Sequence, residues 1–132
     1  MADTLTFDLV SPERKLASVE ATAVQIPGMA GDFTAMPNHA PFLTTLRPGV
    51  VRVTAGSEVT EYVVTGGFAE ISPTAASILA EQAVPRAEAN AAMVSDLLAA
   101  AERDLADAPD EAKMALGQRL RDVVALRSQI GA

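Results

Sequence analysis

The grammar of the chain changes at Pro85, and that change constrains the fold more than any other feature. Before it, short apolar runs alternate with turn signals. In LTFDLV, Leu5, Phe7 and Leu9 share one face and Thr6 and Asp8 the other, the period-two pattern of a half-buried strand. Ser11-Pro12-Glu13-Arg14 reads as a turn with proline at its second position. ATAVQIP is a second run, closed by Pro27-Gly28. VVRVTAGSEVTEYVV reads as a hairpin, with Val51, Val53 and Val59, Tyr62, Val64 flanking a turn around Ala55-Gly56-Ser57. GGFAEIS and ASILAEQ follow, split by Ser72-Pro73-Thr74. Such a pattern predicts an antiparallel β-sandwich over residues 1–84.

After Pro85 the period becomes helical. Residues 87–108 hold nine alanines and no glycine, and Val94, Leu97, Leu98, Ala101 and Leu105 recur at helical spacing. DLADAPDEAK interrupts the run. Asp107 is expected to cap a second helix, with Pro109 in its first turn and Asp110 near its positive end. Ala112, Leu116, Leu120, Val123, Arg127 and Ile130 continue the apolar stripe, with Arg127 its one polar member. Gly117 is its weak point, costing about 1 kcal/mol against alanine if exposed. A short link makes the two helices antiparallel neighbours. The expected class is α+β, a sandwich followed by an antiparallel helical hairpin over residues 85–132.

Composition removes several functions. A net charge of −7 repels a nucleic-acid backbone, and four Phe, one Tyr and no Trp leave little for base stacking. Without cysteine there are neither disulfides nor thiolate metal sites. The opening MADTLTFDLV lacks the basic and apolar regions of a signal peptide, and no run approaches the ~18 apolar residues that span a bilayer. Charge is uneven. Residues 1–84 carry four basic and nine acidic side chains. The first helix holds Glu88, Asp96, Glu102 and Asp104, and the second Lys113, Arg119, Arg121 and Arg127. Complementarity between the helices accounts for this; the sharper reading is that the basic helix meets an acidic partner.

The one histidine, His39, is the natural general base. It would need a nucleophile and an orienting carboxylate, and Asp32, Thr34, Thr44 and Thr45 are the nearest in sequence. No Gly-x-Ser-x-Gly elbow is present, and no Cys, second His or paired carboxylate offers a metal site. Gly66-Gly67 lies in a strand pattern with no helix after it, so it marks a bulge or close backbone approach rather than a phosphate cradle. Its functional counterpart is a flat spot where another chain packs. No catalytic, cofactor or metal residue is assigned.

Residues 31–49, GDFTAMPNHAPFLTTLRPG, read instead as stiffened backbone. Met36-Pro37-Asn38-His39 fits a β-turn in which Pro37 fixes φ and Asn38 takes φ > 0. Ala40-Pro41 pushes His39 and Ala40 toward extended geometry, and Pro48-Gly49 makes the next corner. Phe33, Met36, Phe42 and Leu43 are too apolar for a mobile lid. The stretch is expected to be a rigid docking edge with His39 at its lip.

Taken together, FDLVSPERKLAS, EATAVQIPGMAGDF, MPNHAPFLTTLRPG, YVVTGGFAEIS and ASILAE resemble the epsilon subunit of the F-type proton-translocating ATP synthase. The likeness covers most of residues 5–84, with order and spacing kept, and reaches the hairpin by position and periodicity. It implies a non-catalytic central-stalk subunit whose sandwich packs on the gamma subunit and stands on the c-ring. Its hairpin would lie folded or extend along gamma toward the alpha/beta head, restraining hydrolysis in many members. Location would be peripheral, at the cytoplasmic face of a bacterial inner membrane.

By motif position, Met29, Ala30, Gly31 and Asp32 resemble the c-ring contact. Ser11, His39 and Thr44 resemble gamma-facing positions, and Arg119, Arg121 and Arg127 would be the hairpin's contacts to the head. Plain alternatives stand beside these: Asp32 as a turn acid, His39 as a turn histidine bonded to backbone. One departure matters. Some members bind ATP through Ile/Leu-Asp-x-x-Arg-Ala early in the first helix, and RAEANAAMVSDLL lacks that Asp and Arg. The expectation is weak or absent ATP binding. Alanine-lined contacts bury little area, so the hairpin is expected to unpack at modest cost while staying helical. The competing classes are a free-standing β-sandwich binding module and a small hydrolase using His39.

Overall fold

The computed structural model describes residues 4–131. Residues 1–3 and 132 lie outside the described part, and with them the two ends of the division into 1–84 and 85–132 and the first three residues of the segment read for a signal peptide.

Ten strands are followed by two helices: β1 (Leu5–Val10), β2 (Lys15–Ala21), β3 (Ala23–Gly28), β4 (Gly31–Ala35), β5 (Phe42–Leu46), β6 (Gly49–Ala55), β7 (Glu58–Val64), β8 (Gly67–Ile71), β9 (Ala75–Ala80), β10 (Ala83–Pro85), α1 (Ala91–Ala106) and α2 (Lys113–Ile130). The strands run in the order β10-β7-β6-β3-β5-β8-β9-β1-β2, with β4 paired to β3. β3 and β5 share only the pair Gly28–Leu46, so the sheet folds there into two layers. β2 packs against β6 and β10 where the layers close.

The alternation read in β1 is real: Leu5, Phe7 and Leu9 are buried. They meet Ile71, Ala76 and Ile78 from their own layer and Val24, Ile26, Val51, Val53 and Val64 from the other. Phe7 and Tyr62, from opposite layers, sit with ring centroids 6.3 Å apart. The sandwich is thus as expected, with one departure. β1 pairs with β9 in parallel, while every other pairing is antiparallel. Chain turns signal hairpins, whereas a pairing between residues 6–10 and 75–79 leaves no local trace.

Residues 31–49 are not a loop. They form β4 and β5, joined by the turn Met36-Pro37-Asn38-His39. That turn is as expected: Asn38 has φ 70° and the His39 N–H donates to Met36 O at 3.1 Å. Gly67 is a close backbone approach, since a Cβ there would come within 2.8 Å of Ala80 Cα at a φ of 131°.

The second helix corrects two expectations. Asp107 caps nothing at its start; it closes α1, its N–H donating to Arg103 O. A helix begun at Asp107 would need Ala108 helical, and a residue before proline avoids that region. The chain therefore leaves Pro109 extended and enters α2 through a 3₁₀ turn, Asp110–Ala112. Nor does Arg127 lie in the apolar stripe. It is exposed, and Leu126 and Asp122 are buried beside Val123. Leucine at this phase gains burial, whereas arginine would need a partner inside.

α1 begins at Asn90, whose side chain accepts from Met93 N at 3.0 Å as an N-cap. The helices pack on the outer face of β6 and β7, where Leu126 meets Val50 and Val63, framed by Val84, Ala89, Met93, Leu97 and Ile130. This core is separate from that of the sandwich.

Candidate functional site

Val50-Val51 and Val63-Val64 explain why one outer face is covered. Neighbours in a strand point to opposite sides, so Val51 and Val64 enter the sandwich while Val50 and Val63 reach the helices. Among the described residues the other layer has no such cover. Phe68 of β8 stands between Thr45 of β5 and Leu79 of β9. Leu43, two residues before Thr45, shares its side of β5. Leu43, Phe68 and Leu79 are 68%, 56% and 61% exposed, three large apolar side chains on an outer face they share with Thr45, Glu70 and Ser77, and large exposed apolar groups gathered on one face mark a protein contact. Beside it, Val10, Ser11, Pro12, Leu79 and Ala80 line a hollow of about 220 Å³.

Sequence reasoning did not assign Phe68 or Leu79. The signal was available, because both stand out of phase with Ala69 and Ile78, the core residues of the same strands. Periodicity alone says only which side a residue faces, not whether anything covers that side.

Ser11, His39 and Thr44 are not brought together. Ser11 follows β1, whose last residue Val10 pairs with Leu79. It is buried, its hydroxyl 3.3 Å from Arg14 O and 3.4 Å from Arg14 N, so it closes its own turn. His39 lies before β5, at the end where Phe42 pairs with Ile71 and Ile71 with Ala76. A five-residue strand separates these ends by about 17 Å. His39 Nδ1 lies 2.6 Å from Ala40 O, and its ring is 6.4 Å from that of Phe33. The Thr44 hydroxyl donates to Thr45 O at 3.1 Å. Asp32 pairs with Arg47 rather than orienting His39. Among the described residues, neither the Asp32 carboxylate nor a threonine hydroxyl is hydrogen-bonded to His39.

Met29 and Ala30 form the tip of the β3–β4 hairpin, both exposed. Gly31 follows at φ 137°, a backbone state that side chains resist, which lets the strand leave the tip at once. Met29 is anchored through its N–H to Thr45 O at 2.9 Å. Arg47 braces the tip from behind, donating to Gly28 O at 3.1 Å and to the Asp32 carboxylate. Asp32 is still half exposed on its side chain. These four residues thus make a small, stiff prominence with an acid at its flank. Thr44 lines a hollow of about 230 Å³ with Gly28, Ala30, Gly31, Asp32, Phe33 and Phe42, which places it with the tip and not with Leu43.

The three arginines of α2 have separate fates. Arg119 reaches Glu81 at 3.4 Å, Arg121 donates to Gln118 at 2.9 Å, and Arg127 points outward. Residues 86–98, which lack the nucleotide motif, form a 3₁₀ turn (Arg86–Glu88) and the start of α1. Among the described residues no helix is long and apolar enough to cross a membrane.

Residues 4–86 match the family model described as the ATP synthase delta/epsilon chain β-sandwich domain. The ATP synthase epsilon chain of Rhodobacter capsulatus is 48% identical over 130 residues, covering 98% of each chain. That of Fuscovulum blasticum is 63% identical over 99 residues, 75% of this chain and 76% of the relative. In solved structures, a chain of the Euglena gracilis mitochondrial ATP synthase OSCP/F1/c-ring assembly superposes with TM-score 0.76 at 20% identity, over 98% of this chain and 83% of that one. A chain of the Tetrahymena thermophila mitochondrial ATP synthase central stalk and c-ring gives 0.72 at 16% identity, over 97% and 96%. With a full-length relative at this identity, and a sandwich and hairpin in the same order, the chain belongs to the family of ATP synthase epsilon chains.

Proposed function

We propose that the chain is a non-catalytic rotor subunit of the central stalk, joining gamma to the c-ring so that proton flow is coupled to ATP synthesis. The observation that carries this is the uncovered apolar face of Leu43, Phe68 and Leu79, set on a sandwich whose opposite outer face is already filled. A part that transmits torque needs stiff surfaces on two sides. The apolar face suits gamma, and the braced tip of Met29, Ala30, Gly31 and Asp32 suits the polar loops of the ring. Ser11 and His39 mark the two ends of the gamma-facing surface. Thr44, beside the tip, falls between the two contacts.

In this reading the chain divides into a docking body, residues 1–84, and an arm, residues 85–132. The arm restrains hydrolysis when it extends, with Arg119, Arg121 and Arg127 meeting acidic surface on the alpha/beta head. The protein works at the cytoplasmic face of a bacterial inner membrane, held there by its complex.

Reconstitution with purified gamma tests the reading. The expected result is a stable complex, formed equally by a chain ending at Pro85, and a higher ATPase rate of the assembled enzyme when the arm is missing. A chain that ignores gamma would defeat the proposal; an unchanged ATPase rate would remove the restraint and leave the stalk role.

A further inference from the structure

A hollow of about 310 Å³ lies between the first half of α2 and the corner that joins β5 to β6. Met29, Leu46, Pro48, Ala115 and Leu116 give it apolar walls. Leu46 and Pro48 are buried, whereas Met29 and Ala115 are exposed and mark the rim. Ligand sites run from about 300 to 1,000 Å³, so this one suits a small molecule.

One lining side chain does not match those walls. Asp122 is 8% exposed, and among the described residues it has a single partner: Gln118 Nε2 donates to its Oδ1 at 2.9 Å. Among the described residues no side-chain oxygen sealed from solvent lacks a partner. Asp122 Oδ2 is therefore not shut in, and it opens to the hollow that Asp122 lines.

Two arginines stand near it on the helix, and both are engaged elsewhere. Arg119 borders the hollow and reaches Glu81 at 3.4 Å. Arg121 donates to Gln118 Oε1 at 2.9 Å. Gln118 thus offers its oxygen to Arg121 and its nitrogen to Asp122, and the carboxylate has no cation of its own. A buried acid in that position costs free energy that a cationic ligand would offset. A metal ion does not suit the place. A hard cation takes about six oxygen ligands, and among the described residues no three acidic or histidine side chains gather to hold one. The walls call for hydrocarbon, and the acid calls for an N–H donor with positive charge.

We propose that this hollow is a binding site for a small organic ammonium ion, with its N–H donating to Asp122 Oδ2 and its apolar body against Met29, Leu46 and Leu116. Burial of the hydrocarbon supplies affinity, and the charge-assisted hydrogen bond supplies selectivity. An anion of the same shape meets the carboxylate and is turned away. The site is independent of the stalk role and needs no movement of the helices.

Nuclear magnetic resonance of the full-length, isotope-labelled chain tests this with three probes of one shape: n-hexylammonium, n-hexanol and n-hexanoate. Salt at about 0.15 M screens the general pull of a net charge of −7. The expected result is a saturable shift of the Leu46, Ala115 and Leu116 amides and of the Gln118 side-chain amide. Hexylammonium should bind about tenfold tighter than hexanol, as one charge-assisted hydrogen bond allows, and hexanoate more weakly than hexanol. Asp122→Asn keeps an acceptor for Gln118 and removes the charge. It should bring hexylammonium down to the affinity of hexanol and leave hexanol unchanged. Ala115→Phe keeps Asp122 and fills the hollow from its rim, so it should weaken both probes together. A preference for hexylammonium that persists in Asp122→Asn would overturn the proposal. So would equal binding of the three probes, no binding of hexylammonium, or shifts that never saturate and spread over the acidic side chains of α1. If Asp122→Asn unfolds α2, Ala115→Phe decides: unchanged binding there puts the ammonium elsewhere and ends the proposal. Gamma binding is scored separately, and none of these outcomes alters it.

Discussion

The two layers of the sandwich carry apolar side chains on their outer faces, and among the described residues one of those faces is covered and the other is open. On β6 and β7, Val50 and Val63 are buried under Leu126. On β5, β8 and β9, Leu43, Phe68 and Leu79 remain exposed. The strands are built alike, and their residues obey the same alternation. What differs is that the chain supplies a cover for one layer and, among the described residues, none for the other. The covered face is held by a core small enough to yield, and the open face is stiffened by the main core directly beneath it. Under the proposed stalk role that division has a use: the open face is available to gamma, while the other is occupied by the chain's own helices.

The largest effect on stability should come from emptying the covered face. Leu126→Ala removes the side chain that α2 buries between Val50 and Val63, and is expected to cost the arm's docking about 2–4 kcal/mol. The sandwich has its own core, so its unfolding should shift far less than the arm's. Hydrogen exchange separates them: amides of α1 and α2 should lose protection while those of β1, β8 and β9 keep it. Equal loss in both would mean that body and arm form one cooperative unit, and the comparison would fail.

A smaller effect, of opposite sign, is expected from Gly117→Ala. A Cβ at Gly117 meets only Arg121 Nη1, at 3.6 Å, so there is room for it. Alanine should strengthen α2 by about 1 kcal/mol, by reducing the freedom of the unfolded helix. Circular dichroism of the full chain should then show a later loss of helix signal on heating, with the strand signal unmoved. An earlier loss would mean that the Arg121 side chain cannot give way.

How much of this was legible in the sequence follows from how local each cause is. β1, the β6–β7 hairpin and the Asn38 turn are set by residues within a few positions of one another, and all three read correctly. β2 was missed because Lys15, Ser18 and Glu20 face water on an edge, and a bulge at Leu9/Val10 shifts its register. β4 and β5 were hidden by prolines in the segment between them and beyond, which read as loop chemistry. The parallel pairing of β1 with β9 is non-local, and so left no signal. In α2 the 3₁₀ start and the preceding Ala108-Pro109 pair moved the helix start, and tertiary contact with Val50 and Val63 chose Leu126 over Arg127. At the candidate site, the tip at Met29 was readable from its glycines and acid. Its brace by Arg47 was not, because the two lie on different hairpins. Adjacent valines at 50–51 and 63–64 could have announced a strand pair buried on both faces, since such strands lose their alternation.

The smallest effect on folding should come from the open face, and it is the sharpest test of the difference between the layers. Phe68 is 56% exposed, so Phe68→Ser exchanges one solvent-facing side chain for another. Its backbone pairing with Thr45 and Leu79 does not depend on the ring. Surface changes of this type move stability by about 0.5 kcal/mol or less, so the denaturation midpoint should stay where it is. Association with gamma should weaken at least tenfold, because an aromatic side chain near the middle of an apolar patch is where binding energy concentrates. The two numbers must be read together. A serine variant that folds normally and binds poorly means that the ring serves a neighbour. A variant that unfolds early means that the open face already contributes to the body, as Val50 and Val63 do on the other side. A variant that folds and binds like the parent moves the gamma contact away from β8 altogether.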